Sequence, residues 1–316
     1  MVFQIIMDYV LSWQKCALED YYSLNPERWR HSQILCLIGP PGCGKSFWQL
    51  LFTRLLNGGS AEPWPLLTNG DAGKFTKDLA EAPHWLMSDK PPFRNLAARA
   101  TFTANVKTHV VSNTLDVHGK GKDKVALPTF RRLTLSVNED AENLTTIPNL
   151  DESMRDKLLL VKCGKAEMLP EQKANLERFT RQRAAWIHFL LHEYRVPPEL
   201  GNVRMGVRAY AHPDIEEKLS DFDPAARLVE CLDKVFFAAA DTPFERGTCA
   251  ELQATLCADA KYGAIARQIL PASSVLGQLL AKLQVKDPKR FVKKNIKGRQ
   301  SGKSSRRDWR RAATPS

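Results

Sequence analysis

An α/β fold, in which a parallel sheet with flanking helices is followed by a helical subdomain and a small basic domain, is predicted by three observations. Short apolar runs recur in the first half at Gln33–Ile38, His84–Ser88, His109–Ser112 and Leu133–Val137, with helix-capable segments or connections between them. That is the pattern of strands covered on both faces. Beyond Leu150 such runs stop, and helical spacing takes over in 151–163, 170–195, 213–220 and 224–240. Finally, the whole formal net charge of +11 lies between Lys282 and Arg311, where seven Lys and six Arg face only Asp287 and Asp308, so residues 1–281 are formally neutral. The chain of 316 residues, 43% hydrophobic, has material for more than one core. These shifts divide it into 1–30, a helical segment; 31–150, the sheet-bearing core; 151–240, a helical subdomain; and 241–316, a basic domain and tail.

Taken in order, Val2, Ile5, Ile6, Tyr9, Val10, Trp13 and Ala17 recur at helical spacing and predict an opening amphipathic helix that packs on the sheet-bearing core. Asn25-Pro26 ends it. Gln33–Ile38 predicts a buried strand, and a string that fits G-x-x-x-x-G-K-[ST] comes directly after it: Gly39, Pro40, Pro41, Gly42, Cys43, Gly44, Lys45, Ser46, with Phe47 opening a helical pattern to Leu56. Glycines here let successive backbone N–H groups curl around a phosphate at the positive end of a helix. Lys45 is then the counter-charge to terminal phosphates, and the Ser46 hydroxyl a ligand to Mg²⁺. Strand, glycine loop and helix together predict a P-loop NTPase that takes ATP with Mg²⁺.

Such a site needs a second strand that delivers a carboxylate. Trp85-Leu-Met-Ser-Asp89 supplies one, with Asp89 as catalytic and metal-binding candidate. The next residue is Lys90, and a cation cannot accept a proton from attacking water. Asp71, Asp78 or Glu81 could take that role. Val110-Val111-Ser112-Asn113 ends a third apolar run on an amide able to orient water. Arg131 or Arg132, at the start of the next strand, is a candidate finger offered to a neighbouring subunit.

In the order Gly39–Ser46, Trp85–Asp89, Lys107 with Val110–Thr114, and Phe130–Asn138, residues 1 to about 195 resemble the AAA+ superfamily-3-type helicase domain of phage and mobile-element primase-helicase proteins. The resemblance implies a hexameric ring that hydrolyses ATP and moves on single-stranded DNA in replication. Asn113 then matches the sensor position, Arg131 or Arg132 the finger, and Lys107 the DNA-contacting position. The order of two helices and a basic hairpin at the C-terminal end resembles a winged helix, with Lys289, Arg290, Lys293, Lys294, Lys297 and Arg299 along DNA phosphates. Trp309 either closes its small core or stacks on a base. Only 24 residues separate Asp89 from Asn113, which is short for this family and implies a reduced DNA-contacting hairpin. About 30 residues precede the first strand, so any primase or polymerase is expected to be a separate partner.

The function expected is therefore an ATP-dependent DNA helicase or replication ATPase, with a slow-hydrolysing, nucleotide-switched initiator or loader on origin duplex as the alternative. A small-molecule kinase has no use for 13 clustered cations. No window approaches the roughly 18 apolar residues of a membrane span, and the start lacks the marks of an export signal. Seven cysteines, an odd number at irregular spacing, argue against a disulfide framework. A soluble protein of the cytoplasm is expected, the host's if the source is viral. His188 and His192 stand four apart beside Glu193, and without a third ligand they read as polar packing positions rather than zinc ligands.

Overall fold

The computed structural model describes residues 2–23, 25–57, 59–69, 76–93, 96–118, 123–165, 172–220, 222–237, 244–296 and 306–312. These form two compact units, Met1–Leu219 and Ser220–Ser316. The division falls at 219/220 rather than 240/241, so the helix Pro224–Phe236 belongs with the basic end.

In the first unit, helix α1 (Val2–Ser23) precedes strand β1 (Ile34–Ile38), the glycine loop and α2 (Lys45–Leu55). Then come β2 (Ser60–Ala61), β3 (His84–Ser88), α3 (Leu96–Val111), a hairpin of β4 (Thr114–Val117) and β5 (Val125–Pro128), β6 (Arg132–Val137) and β7 (Leu158–Lys162). The unit ends with α4 (Gln172–His188), β8 (Tyr210–Ala211) and α5 (Pro213–Ser220). Six strands pair in the order β8-β7-β1-β6-β3-β2, all parallel. All five residues of β1 and all six of β6 are buried, as strands covered on both faces must be. The opening helix is part of this core: Val10, Trp13, Ala17 and Leu18 pack with Leu35, Leu37, Phe52, Leu55, Leu159 and Val161. Trp13 and Phe52 lie with ring centroids 4.8 Å apart.

Two expected elements are corrected. His109–Ser112 is not a strand, because its first three residues are the last turn of α3. The buried residues Arg99, Phe102, Thr103, Val106 and Val110 recur every three to four positions, and a run of four residues is too short to separate the two periods. Conversely, 151–163 is not one helix. A single turn, Glu152–Arg155, gives way to β7, whose Leu-Leu-Leu-Val reads as helix by propensity but is covered on both sides beside β1.

The second unit runs α6 (Pro224–Phe236), β9 (Phe244–Thr248), α7 (Cys249–Ala258), α8 (Gly263–Ile269), α9 (Ser273–Lys286), β10 (Phe291–Ile296) and β11 (Arg306–Ala312). Its strands form an antiparallel sheet in the order β9-β11-β10. Residues 245–248 are strand, and α7 begins only after Thr248. There Thr248 and Glu251 form a reciprocal capping box. Leu228, Leu232, Leu252, Leu256, Leu276 and Leu280 are buried and line the helices' inner faces.

Candidate functional site

In a parallel sheet the residues that come after each strand gather on one edge. Ile38 is level with Val137 and with Lys162, and Ser88 with Ser136. The glycine loop, Asp89, Asn138 and Cys163 therefore meet at the C-terminal edge of adjacent strands. The loop's shape is dictated by its glycines. Gly42 (φ 76°) and Gly44 (φ 91°) adopt left-handed backbone that a side chain would strain. At Gly39 a Cβ would fall 2.4 Å from the Cys163 carbonyl oxygen.

Lys45, 8% exposed, turns into this loop. Its Nζ donates to Gly39 O and Pro40 O at 2.8 Å each and to Asn138 Oδ1 at 3.1 Å, so all three ammonium protons have acceptors. Cys43 Sγ lies 3.7 Å from the same Nζ. Asn138 is the amide that sequence reasoning missed. The apolar run Leu133–Val137 marks its strand, and the polar residue after that run stands where Asp89 stands after His84–Ser88.

Beneath the edge a buried network fixes these parts relative to one another. Gln49, one turn into α2 from Ser46, donates to Met87 O at 3.2 Å and Thr134 Oγ1 at 2.8 Å, and accepts from Ser88 Oγ at 2.7 Å. Ser88 meets Ser136 at 2.7 Å. Ser46 and Gln49, three positions apart on a helix, share a face, so Ser46 is carried above the end of β3, where Asp89 comes next. Asp89 is exposed and takes φ 48°, a left-handed turn that Asp tolerates better than most residues. Lys90 forms an ion pair with Glu62, at the end of neighbouring β2, which draws its charge away from Asp89.

His84 sits deeper in the same network. Thr53 Oγ1 donates to Gln49 O, which leaves it to accept from His84 Nδ1 at 2.6 Å; His84 Nε2 then accepts from Thr134 Oγ1 at 2.7 Å. The imidazole is neutral, and burial lowers its pKa from 6.5 to about 3. The unfolded chain binds this proton below 6.5 and the folded one only below about 3, so stability is full above 6.5 and is lost as pH falls through that window. Between pH 7.5 and 5 His84 should cost the first unit about 2 kcal/mol. Urea unfolding at the two pH values measures this, and a His84→Gln variant should lose that share of the pH slope.

Several expected site residues lie elsewhere. Arg131 and Arg132 stand at the beginning of β6 and so sit at the opposite edge of the sheet from the loop. They are 3% and 4% exposed, and a buried side chain cannot be offered to a neighbouring subunit. Arg132 forms an ion pair with Asp20, and Arg131 donates to carbonyls around the hairpin. Asn113 is on that edge too, its Nδ2 donating to Trp29 O at 3.2 Å, so it is not a sensor for the loop. Asp78 and Glu81 precede β3 and share the wrong edge; Asp71 lies outside the described residues. Lys107 is exposed on α3, not on a DNA-facing loop.

Among the described residues between Asp89 and Asn113 there is no hairpin, only α3; a hairpin follows Asn113 instead, as β4 and β5, paired from Thr114↔Pro128 to Val117↔Val125. Its connecting sequence is His118-Gly-Lys-Gly-Lys-Asp-Lys124, and Val125 and Leu127 are exposed. In the second unit Arg290 is not free for phosphate: its Nη2 contacts both carboxylate oxygens of Asp233, at 2.8 and 2.9 Å, joining the turn before β10 to α6. Lys289 is exposed and Lys293 half-buried on β10. Lys294 and Trp309 lie on β10 and β11, but their side chains, like Lys297 and Arg299 altogether, fall outside the described residues. Among the described residues no helix is long and apolar enough to cross a membrane.

No family profile and no curated protein matches the chain. Among solved structures it is similar to the apo C-terminal region of NrS-1, at 13% identity and TM-score 0.47, over 96% of this chain and 75% of that one. A second structure of that region, 305–718, gives 12% identity and TM-score 0.45 over 93% and 74%. The JCV helicase with a bound small molecule is similar at 13% identity and TM-score 0.33, over 71% of this chain and 61% of that one. Likenesses this distant assign no role to any residue, and the functional reading rests on the chain's own geometry.

Proposed function

We propose that the chain is an ATP-dependent DNA helicase or replication ATPase. The observation that carries this reading is the meeting of Lys45, on the glycine loop, with Asn138, directly after β6, the strand between β1 and β3, at 3.1 Å. A phosphate entering the loop would exchange Lys45's carbonyl partners for charged oxygens, a stronger pairing. It would also leave Asn138 beside the terminal phosphate, free to orient water. The donor set suits Mg²⁺, which takes one or two protein oxygens and fills its shell with water and phosphate. Ser46 would give the hydroxyl and Asp89 the carboxylate; bound metal would neutralise charge building on the phosphates. Glu139, next to Asn138 and drawn toward Lys218 at 3.9 Å, is a carboxylate on the correct edge to accept a proton from water.

For DNA, the support is charge and shape. Lys120, Lys122 and Lys124 cluster in the hairpin's connecting sequence, and β10 and β11 carry Lys293, Lys294, Arg306, Arg307, Arg310 and Arg311. We read the second unit, with its order of helix, strand, helices and two strands, as a winged-helix-like module for duplex or origin DNA. Assembly into a ring, with nucleotide between subunits, belongs to the same proposal. Its arginine finger has to be an exposed side chain other than Arg131 and Arg132.

ATP turnover measured with and without single-stranded DNA, alongside displacement of a labelled strand and the solution mass, tests the reading. Stimulation with unwinding is expected. Binding and slow turnover without unwinding would favour the initiator or loader, and turnover indifferent to DNA would remove nucleic acid from the function. A Lys120→Ala/Lys122→Ala variant should lose DNA stimulation, and the slope of log affinity against log salt should fall by about 0.7 for each lost phosphate contact on a single strand.

A further inference from the structure

Arg131 is buried, yet its charge faces no carboxylate among the described residues. Its fork is spent on carbonyls and a hydroxyl. Nε and Nη2 donate to His109 O at 3.2 and 2.9 Å, and Nη2 also to Ser112 O at 2.5 Å and Thr114 O at 3.3 Å. Nη1 donates to Thr129 Oγ1 at 2.6 Å and Thr129 O at 3.4 Å. These acceptors are the C-terminal end of α3, the start of the hairpin and its finish. A cation is favoured at a helix C-terminus, where carbonyls lack intrahelical partners. The hairpin's base is closed by Thr129 N donating to Asn113 O at 2.9 Å. The guanidinium carbon lies 4.9 Å from the ring centroid of Trp85, a β3 residue that is fully buried.

Two strands thus carry both ends of a connection. β6 begins directly after Arg131 and leads into Asn138; β3 holds Trp85 against the guanidinium and leads into Asp89. Close-packed interiors transmit strain, so a shift at the C-terminal ends of these hydrogen-bonded strands is passed to their beginnings. A small cavity beside the group, lined by Trp29, Ser32, Asn113 and Arg132, contains the Ser32 hydroxyl and the Trp29 indole N–H, neither with a protein partner.

We propose that Arg131 is the positioning residue that fastens the β4–β5 hairpin to the β3/β6 strand pair, so that changes at Asp89 and Asn138 reach the hairpin. This rests on the proposed function only in that the hairpin is what touches DNA. Lysine cannot replace it: one ammonium point cannot span helix end, hairpin start and hairpin finish as a planar fork does.

The test uses the full chain with Arg131→Lys and with Thr129→Val, which removes one neutral acceptor without removing the buried charge. Hydrogen exchange over 112–130 should rise by about tenfold or more in both, with β1 and β6 protected as in the parent. Single-stranded DNA stimulation of ATP turnover should fall by roughly tenfold, while unstimulated turnover and the KM for ATP stay within about twofold. A general loss of structure would move unstimulated turnover and melting together, and that result overturns the proposal, as does unchanged exchange in the hairpin. If the parent itself ignores DNA, the DNA reading fails, and the exchange measurement still decides Arg131's role.

Discussion

Replacing Lys45 with alanine should lower ATP turnover by about 10²- to 10³-fold, the size of effect seen when one preorganised electrostatic contact to the reacting group is removed. The ammonium is the one cation within the loop, 2.8 Å from two of its carbonyl oxygens, and the backbone N–H groups that remain carry only partial charge. The fold should survive. Two of Lys45's oxygen acceptors, Pro40 O and Asn138 Oδ1, are only part-buried at the sheet edge, where water can replace the lost donor. Melting should therefore shift by only a few degrees, and salt-sensitive DNA binding through the basic end should stay within about twofold of the parent. Turnover and fluorescent-nucleotide binding, measured on the same sample, check this. A variant with parental turnover would move the active site away from the loop.

The parts of this site that can be read from sequence are those whose chemistry is local. Gly39–Ser46 specifies its own backbone, so loop, strand and helix are legible together, and Asp89 is legible because a buried run ends on it. Asn138 is not, although its strand is: the third apolar run is the natural place to look for a sensor, whereas proximity depends on the order of strands in the sheet. β6 lies between β1 and β3; α3 takes the place where a strand was expected. Arg131 and Arg132 illustrate a rule that sequence could have supplied: in a parallel sheet, residues before a strand and residues after it lie on opposite edges. Placing β6 is enough to exclude its leading arginines from the loop side. β7 is beyond reach, because Leu-Leu-Leu-Val is as good a helix as a strand until a neighbour covers both faces. Arg290 reads as a phosphate ligand because nothing local to it announces Asp233, 57 residues earlier.

The same opposite edge gives the largest expected loss of stability. Arg132 and Asp20 are 4% and 3% exposed and form an ion pair that joins α1 to β6; Arg30 also reaches Asp20, through Nη1 at 3.0 Å and its backbone N at 3.2 Å. Burial dominates both partners, raising the Asp20 carboxyl above its usual range despite two arginines and lowering the Arg132 guanidinium. Such a pair adds little net stability, yet removing one member leaves a buried charge without its counter-ion. Arg132→Met should cost about 3 kcal/mol, near the low end for a broken buried pair because Arg30 remains. That is a fall in melting temperature of roughly 6–12 °C for a unit of this size. The loss also depends on pH. With its folded pKa raised further, Asp20 binds a proton in the folded state that the unfolded chain has released, so stability falls as pH rises through that interval. The variant's deficit should therefore shrink at acidic pH and be complete at neutrality. In the double variant Asp20→Leu/Arg132→Met neither charge is buried, and most of the lost stability should return at every pH. If the double variant melts as low as Arg132→Met alone, the loss comes from packing around Phe130, whose ring lies 4.9 Å from the guanidinium, and not from the stranded carboxylate.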